Sequence, residues 1–149
     1  IEHAYDAAQK YAGRDVIVDR DIIEHWLFAM VNLKHDKIKW QFYNNLYNSY
    51  YTEHQPPDLY IILSMTWDTF EKRIFERGRN VEIDNWEQNM GYFKDLHKSY
   101  VSKLQAQCII KDIKYVIIPV DLSEKATTLS NAINAINLFI DKYNPERNK

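Results

Sequence analysis

Short β-branched apolar runs alternate along this chain with longer stretches whose apolar residues recur every three or four positions, and this alternation limits the fold more than any other feature. Val16-Ile17-Val18 is too short and too β-branched for a helix and reads as a buried strand. Asp58–Met65 (DLYIILSM) and Lys114–Val120 (KYVIIPV) read as two more. Ile22, Ile23, Trp26, Leu27, Met30 and Val31 trace one helical face, and Ile38, Phe42, Leu46 and Tyr50 trace another, which Pro56-Pro57 ends. Thr66 is a fair N-cap for a helix from Trp67 to Arg77, and Gly78 interrupts it. A long helix runs through Trp86, Phe93, Leu96, Tyr100 and Leu104, and Ser123 caps a last one carrying Leu129, Ala132, Ile133, Ile136 and Ile140. Ile1, Tyr5, Ala8 and Ala12 give an opening helix that Gly13 stops. Strands alternating with helices predict an α/β fold, a parallel sheet with helices on both faces.

The length of 149 residues is that of a single domain, 1–149, and 46% apolar content with 14% aromatic residues is ample for its core. Three strands are few for a sheet buried on both sides. Further strands are expected on the amino-terminal side, and a chain opening on Ile1 rather than Met fits the expectation of a segment. A net charge of -2 argues against a broad nucleic-acid footprint, so positive charge matters only where it is local. The lone cysteine, Cys108, leaves no internal disulfide to form and fits a reducing cytosol. No apolar stretch approaches a membrane span and no leader is visible, so no membrane partner and a cytoplasmic location are expected.

Charge is concentrated in two places. Asp19-Arg20-Asp21 follows the first strand directly, at the edge where open α/β sheets keep their ligands. A carboxylate there can hold a hydrated magnesium ion or accept a substrate proton, while the arginine neutralises phosphate; the plainer alternative is a strand-end ion pair with Asp21 capping the next helix. Arg73, Arg77 and Arg79 put three guanidiniums within seven residues around Gly78, a density suited to a multiply charged anion. The macrodipole favours cations at a helix end by roughly 0.3–1 kcal/mol each, which accounts for Arg73 and Arg77. Arg79 lies past that helix, and a phosphate clamp accounts for all three. Glu82 is placed to bond a sugar hydroxyl or to sit as a solvated acid, and His25 beside Trp26 has a structural role or a place against substrate. His3, His35, His54 and His97 show no metal-ligand spacing. The aromatic run Trp40 to Tyr51 reads as a core-facing stripe or a helix–helix interface.

These residues resemble the deoxyribonucleoside kinases, relatives of thymidylate kinase within the P-loop kinases. VIVDRDIIEHWLFAMVN resembles that family's strand ending in an acid-Arg-Ser/Thr motif and the helix over its nucleoside pocket. PDLYIILSMTWDTFEKRIFERGRNVE resembles its next strand, helix and arginine-rich lid, and YVIIPVD its last strand. The resemblance implies ATP and Mg2+ as cofactors, a deoxynucleoside as substrate, and transfer of the γ-phosphate to the 5′-hydroxyl. It makes Asp19 the carboxylate near magnesium, Arg20 a phosphate and 5′-end contact, and Arg73, Arg77 and Arg79 the lid arginines. It gives Glu82 the deoxyribose 3′-hydroxyl, His25 a place by the substrate, and Asp121, Leu122, Ser123 and Glu124 the adenine loop. Asp21 stands where the family usually has Ser or Thr, and with Gly13, Gly78 and Gly91 as its only glycines the chain has no Gly-x-x-x-x-Gly-Lys-Ser/Thr loop. The segment alone is therefore expected to be inactive, as the carboxyl-terminal part of a kinase domain. A thymidylate kinase-like enzyme and a degenerate, non-catalytic interaction domain are the alternatives. The helices Ile22 to Asn32 and Ile38 to Tyr51 are expected to form a two-fold homodimer as the family's helices do.

Overall fold

The computed structural model describes residues 15–53, 55–120 and 125–143, together with residues 6 and 10. The order is α1 (Ile22–Asn32), α2 (Lys37–Glu53), β1 (Leu59–Ser64), α3 (Trp67–Arg77), α4 (Asn80–Ile83), α5 (Trp86–Ile110), β2 (Lys114–Pro119) and α6 (Lys125–Tyr143). β1 and β2 pair in parallel, in register from Leu59 opposite Lys114 to Ser64 opposite Pro119. A parallel pair requires a crossover, and α3 to α5 supply it.

Alternation along the strands decides what each face meets. Tyr60 and Ile62 of β1, with Tyr115 and Ile117 of β2, turn toward a core built from Ile23, Leu27 and Val31 of α1 and Leu96, Leu104 and Cys108 of α5. α6 lies against both strands yet adds nothing to that core, so it covers the opposite face, onto which Ile61, Leu63, Val116 and Ile118 project. Coverage there is thin: α6 has no fully buried residue, and Leu63 remains 41% exposed.

The sequence-based expectation is met for α1, α3, α5, β1 and β2 and corrected at Val16–Val18. That segment is not a strand, and Ile17 is 87% exposed. A strand exists through the ladder it forms with a neighbour, and among the described residues β1 and β2 satisfy only each other; β-propensity without a partner leaves an unpaired run. The sheet is thus two-stranded among the described residues, smaller than expected. Of the two stripes read in α2, the aromatic one is buried and the aliphatic one is not. Ile38 and Phe42 are exposed, while Tyr47 is buried and stacks with Trp26, whose indole N–H donates to Asn44 Oδ1 at 3.1 Å. Aromatic rings at 40, 43, 47 and 51 bury more area than the aliphatic stripe and take the inner side. The opening helix, the Ser123 cap and the loop Asp121 to Glu124 lie outside the described residues.

Candidate functional site

Asp19 and Arg20 are both exposed, immediately before α1. Arg20 has φ of 70°, a left-handed conformation that disfavours a side-chain-bearing residue by about 1–2 kcal/mol. Its guanidinium carbon lies 5.2 Å from the centroid of the Phe28 ring, two turns along the helix. Asp21 occupies the N-cap position as expected, but it caps through its backbone: its carbonyl accepts from the Glu24 amide at 3.1 Å and the His25 amide at 3.4 Å, with no side-chain cap bond. His25 is half-buried beside Arg20, and burial above all pushes its imidazole below the ordinary range, so it is neutral at physiological pH.

The arginine cluster is built by the two ends of α3. Thr66 Oγ1 accepts from the Thr69 amide at 3.2 Å and starts the helix. Gly78, with φ of 68°, ends it in the left-handed conformation that glycine adopts without penalty, its amide donating to Phe75 and Ile74 carbonyls. The chain thereby turns into α4, for which the Arg79 carbonyl accepts from the Glu82 and Ile83 amides. This turn brings Glu82 back onto the cluster. Arg77 Nη2 donates to both carboxylate oxygens of Glu82 at 2.6 Å, and Arg79 Nη1 lies 4.0 Å away. Arg73 is half-buried, and its Nε is buried with no hydrogen-bond partner among the described residues.

α5 packs against α1, which follows Arg20, and against α4, which bears Glu82. Arg20 acts electrostatically on Tyr92 and Tyr100 of α5. The start of α5 is fixed by an aromatic cluster in which Trp86 stacks on Trp67 at 6.2 Å and on Phe93 at 5.5 Å. His97 Nε2 donates to the Met65 carbonyl at 2.8 Å and ties that helix to the exit of β1.

Glu24 is a buried carboxylate that the sequence did not reveal. It is buried on α1 and its Oε1 accepts from the Tyr100 hydroxyl on α5. Burial raises the pKa of its carboxyl, against the lowering effects of that hydrogen bond and of Arg20. A glutamate in the first turn of a helix reads as a dipole-favoured surface acid, and only the packing of α1 on α5 places it inside.

A sequence profile described as deoxynucleoside kinase matches residues 2–141. The chain belongs to the deoxynucleoside kinase family. Among curated proteins, it is similar to an uncharacterized protein of Mycoplasma genitalium, 43% identical over 110 residues, which cover 71% of this chain and 48% of that protein. A homologue of that protein in Mycoplasma pneumoniae is 40% identical over 116 residues, 75% of this chain and 50% of its own length. The chain therefore spans about half the length of the curated relatives it matches.

Deoxynucleoside kinases use ATP and magnesium, and the residues here are compatible with both. Among the described residues no three His, Cys, Asp or Glu side chains gather into a chelating set. Magnesium needs none when phosphate and water supply most of its oxygen ligands, and a single exposed carboxylate such as Asp19 is compatible with it. The buried, unsatisfied Arg73 Nε is a donor suited to an anion. No helix among the described residues is long and apolar enough to cross a membrane.

Proposed function

We propose that the chain forms the carboxyl-terminal part of a P-loop-type kinase domain that transfers the γ-phosphate of ATP to the 5′-hydroxyl of a deoxynucleoside. The observation that carries this reading is the turn at Gly78, where Arg77 pairs with Glu82 and Arg79 lies 4.0 Å from it, while Arg73, earlier on α3, has a buried Nε with no hydrogen-bond partner among the described residues. Such an array offers charge-assisted hydrogen bonds to phosphate. Magnesium bound with ATP would supply charge neutralisation at the transferring phosphate, and Asp19 is the residue to hold it. Arg20 contacts the phosphate and the 5′ end, Arg73, Arg77 and Arg79 close on the ATP phosphates, and Asp121 to Glu124 hold adenine. Glu82 accepts the 3′-hydroxyl, for which its bond to Arg77 fixes the carboxylate in advance; His25, neutral and half-buried beside Arg20, lines the substrate side.

The active protein is a cytoplasmic homodimer in this reading. Ile38 is 83% and Phe42 is 73% exposed on the outer face of α2, where a second copy would cover them.

Incubating the protein that carries this chain with ATP, magnesium and a panel of deoxynucleosides, with thymidylate as a control, tests the assignment. Deoxynucleoside 5′-monophosphate is the expected product. Turnover of thymidylate alone would favour the nucleotide kinase alternative, and no turnover on any substrate would favour a non-catalytic interaction domain.

A further inference from the structure

The segment 76–85, which carries Arg77, Arg79 and Glu82, has little of its own to hold it in place. None of its residues is buried, and α4 within it adds nothing to the core. The Arg77–Glu82 pair is open to solvent on the arginine side, so it fixes the turn only weakly. Asn85, at the N-cap of α5, makes no side-chain cap bond. Aromatic rings flank the segment instead. Phe75 precedes it and Trp86 follows it, and their rings meet edge to face with centroids 5.0 Å apart, a separation at which aromatic pairs attract. That contact closes the base of the segment. Trp86 is anchored in turn, since it stacks on Phe93 of α5 at 5.5 Å and on Trp67 at the start of α3 at 6.2 Å. Phe70 carries the cluster on to His97 at 5.7 Å, and His97 is bonded to the Met65 carbonyl at the exit of β1. The arginine segment therefore stands on rings that connect to the sheet.

We propose that Phe75 and Trp86 are positioning residues, a ring-to-ring staple that fixes the segment carrying Arg77, Arg79 and Glu82 in the geometry that meets phosphate. The proposal rests on the kinase reading, in which those arginines close on ATP. Phe75 is 44% exposed, so its ring adds little to the core; what it has is its contact with Trp86 across the base of the segment. Rings that served only to bury area would, on removal, lower the unfolding temperature and leave the folded enzyme at wild-type kcat. A staple loses kcat in protein that is still folded.

The experiment compares Trp86→Ala, Trp86→Phe and Phe75→Ala with the wild type in the protein that carries this chain. In both alanine variants kcat should fall about tenfold or more while the nucleoside KM stays within about twofold, the pattern of contacts made in the transition state. Trp86→Phe keeps a ring against Phe75 and should recover most of the rate. Phe75→Ala decides the question if Trp86→Ala does not fold, because the ring it removes is half outside the protein. The segment is followed separately by brief trypsin digestion under native conditions, with cleavage after Arg77 and Arg79 read by mass spectrometry. A released segment opens locally, so both alanine variants should be cut there several times faster than the wild type, and Trp86→Phe at close to the wild-type rate. If the wild type transfers no phosphate, the kinase reading fails while the cleavage rates still report on the staple. Wild-type kcat in a folded alanine variant, cleavage after Arg77 and Arg79 no faster than in the wild type, or a Trp86→Phe enzyme as impaired as Trp86→Ala would overturn the proposal.

Discussion

Glu82 is paired in the structure and, in the proposed function, also meets the sugar. It is paired with Arg77 at 2.6 Å, yet the arginine side chain is 44% exposed, and a pair open to solvent to that degree contributes little to stability. Its worth should lie in binding. Glu82→Gln is expected to weaken kcat/KM for substrates with a 3′-hydroxyl by about 10- to 100-fold, corresponding to roughly 1.5–3 kcal/mol for a hydrogen bond to a charged group, and to leave 2′,3′-dideoxy analogues nearly unchanged. Kinetics on matched substrate pairs check this, and equal losses on both would assign Glu82 to holding Arg77 alone. Glu24 gives a pH prediction. Its folded pKa is raised above the ordinary 4.5, so the folded state binds its proton more tightly than the unfolded state does. The stability from that proton is complete below 4.5 and lost as pH rises through the folded value. Thermal unfolding followed from below pH 4.5 to neutrality should therefore show Glu24→Gln gaining on the wild type as pH rises, and a constant difference would contradict it.

At the level of elements, α3 is the piece whose ends shape the arginine cluster. Thr66→Ala removes the side-chain acceptor for the Thr69 amide and should cost about 1 kcal/mol in denaturant unfolding. Gly78→Ala meets no neighbouring atom within 4 Å, so its cost is conformational, about 1–2 kcal/mol for a residue held at φ of 68°, and Gly78→Asn should cost less. Equal stability of Gly78→Ala and wild type would show that the turn relaxes. Both ends of α3 were legible in the sequence because Thr and Gly act locally, through their own side chain or its absence. Val16–Val18 was misread because a strand depends on a distant partner, which composition does not report. The inner face of α2 was legible only as two candidates for a related reason: both an aliphatic and an aromatic stripe recur at helical spacing, and only contact with Trp26 selects the aromatic one. Among the site residues, Arg77, Arg79 and Glu82 were legible as a charged cluster close in sequence and are found together, whereas Glu24 and Tyr100 meet only through the packing of two helices far apart in the chain.

At the scale of the whole molecule, the described residues leave apolar surface open on the outer stripe of α2 and on the thinly covered sheet face under α6, among other places. The first is assigned here to a second copy of the chain. Phe42→Asp should convert the proposed homodimer to a monomer in sedimentation equilibrium without loss of helix content, since Phe42 is 73% exposed in the single chain. A dimer that persists would move the interface elsewhere. In the kinase reading the arginines of the Gly78 turn close on phosphate. Arg79, 65% exposed and 4.0 Å from Glu82, is the member of the cluster that the fold needs least. Steady-state kinetics of Arg79→Ala in the protein that carries this chain test the claim most directly. The account predicts a fall in kcat on the order of 10²-fold or more with the nucleoside KM little changed, as for other preorganised contacts to charge that develops in the transition state. An unchanged kcat would contradict it and return the three arginines to the ordinary role of cations at a helix end.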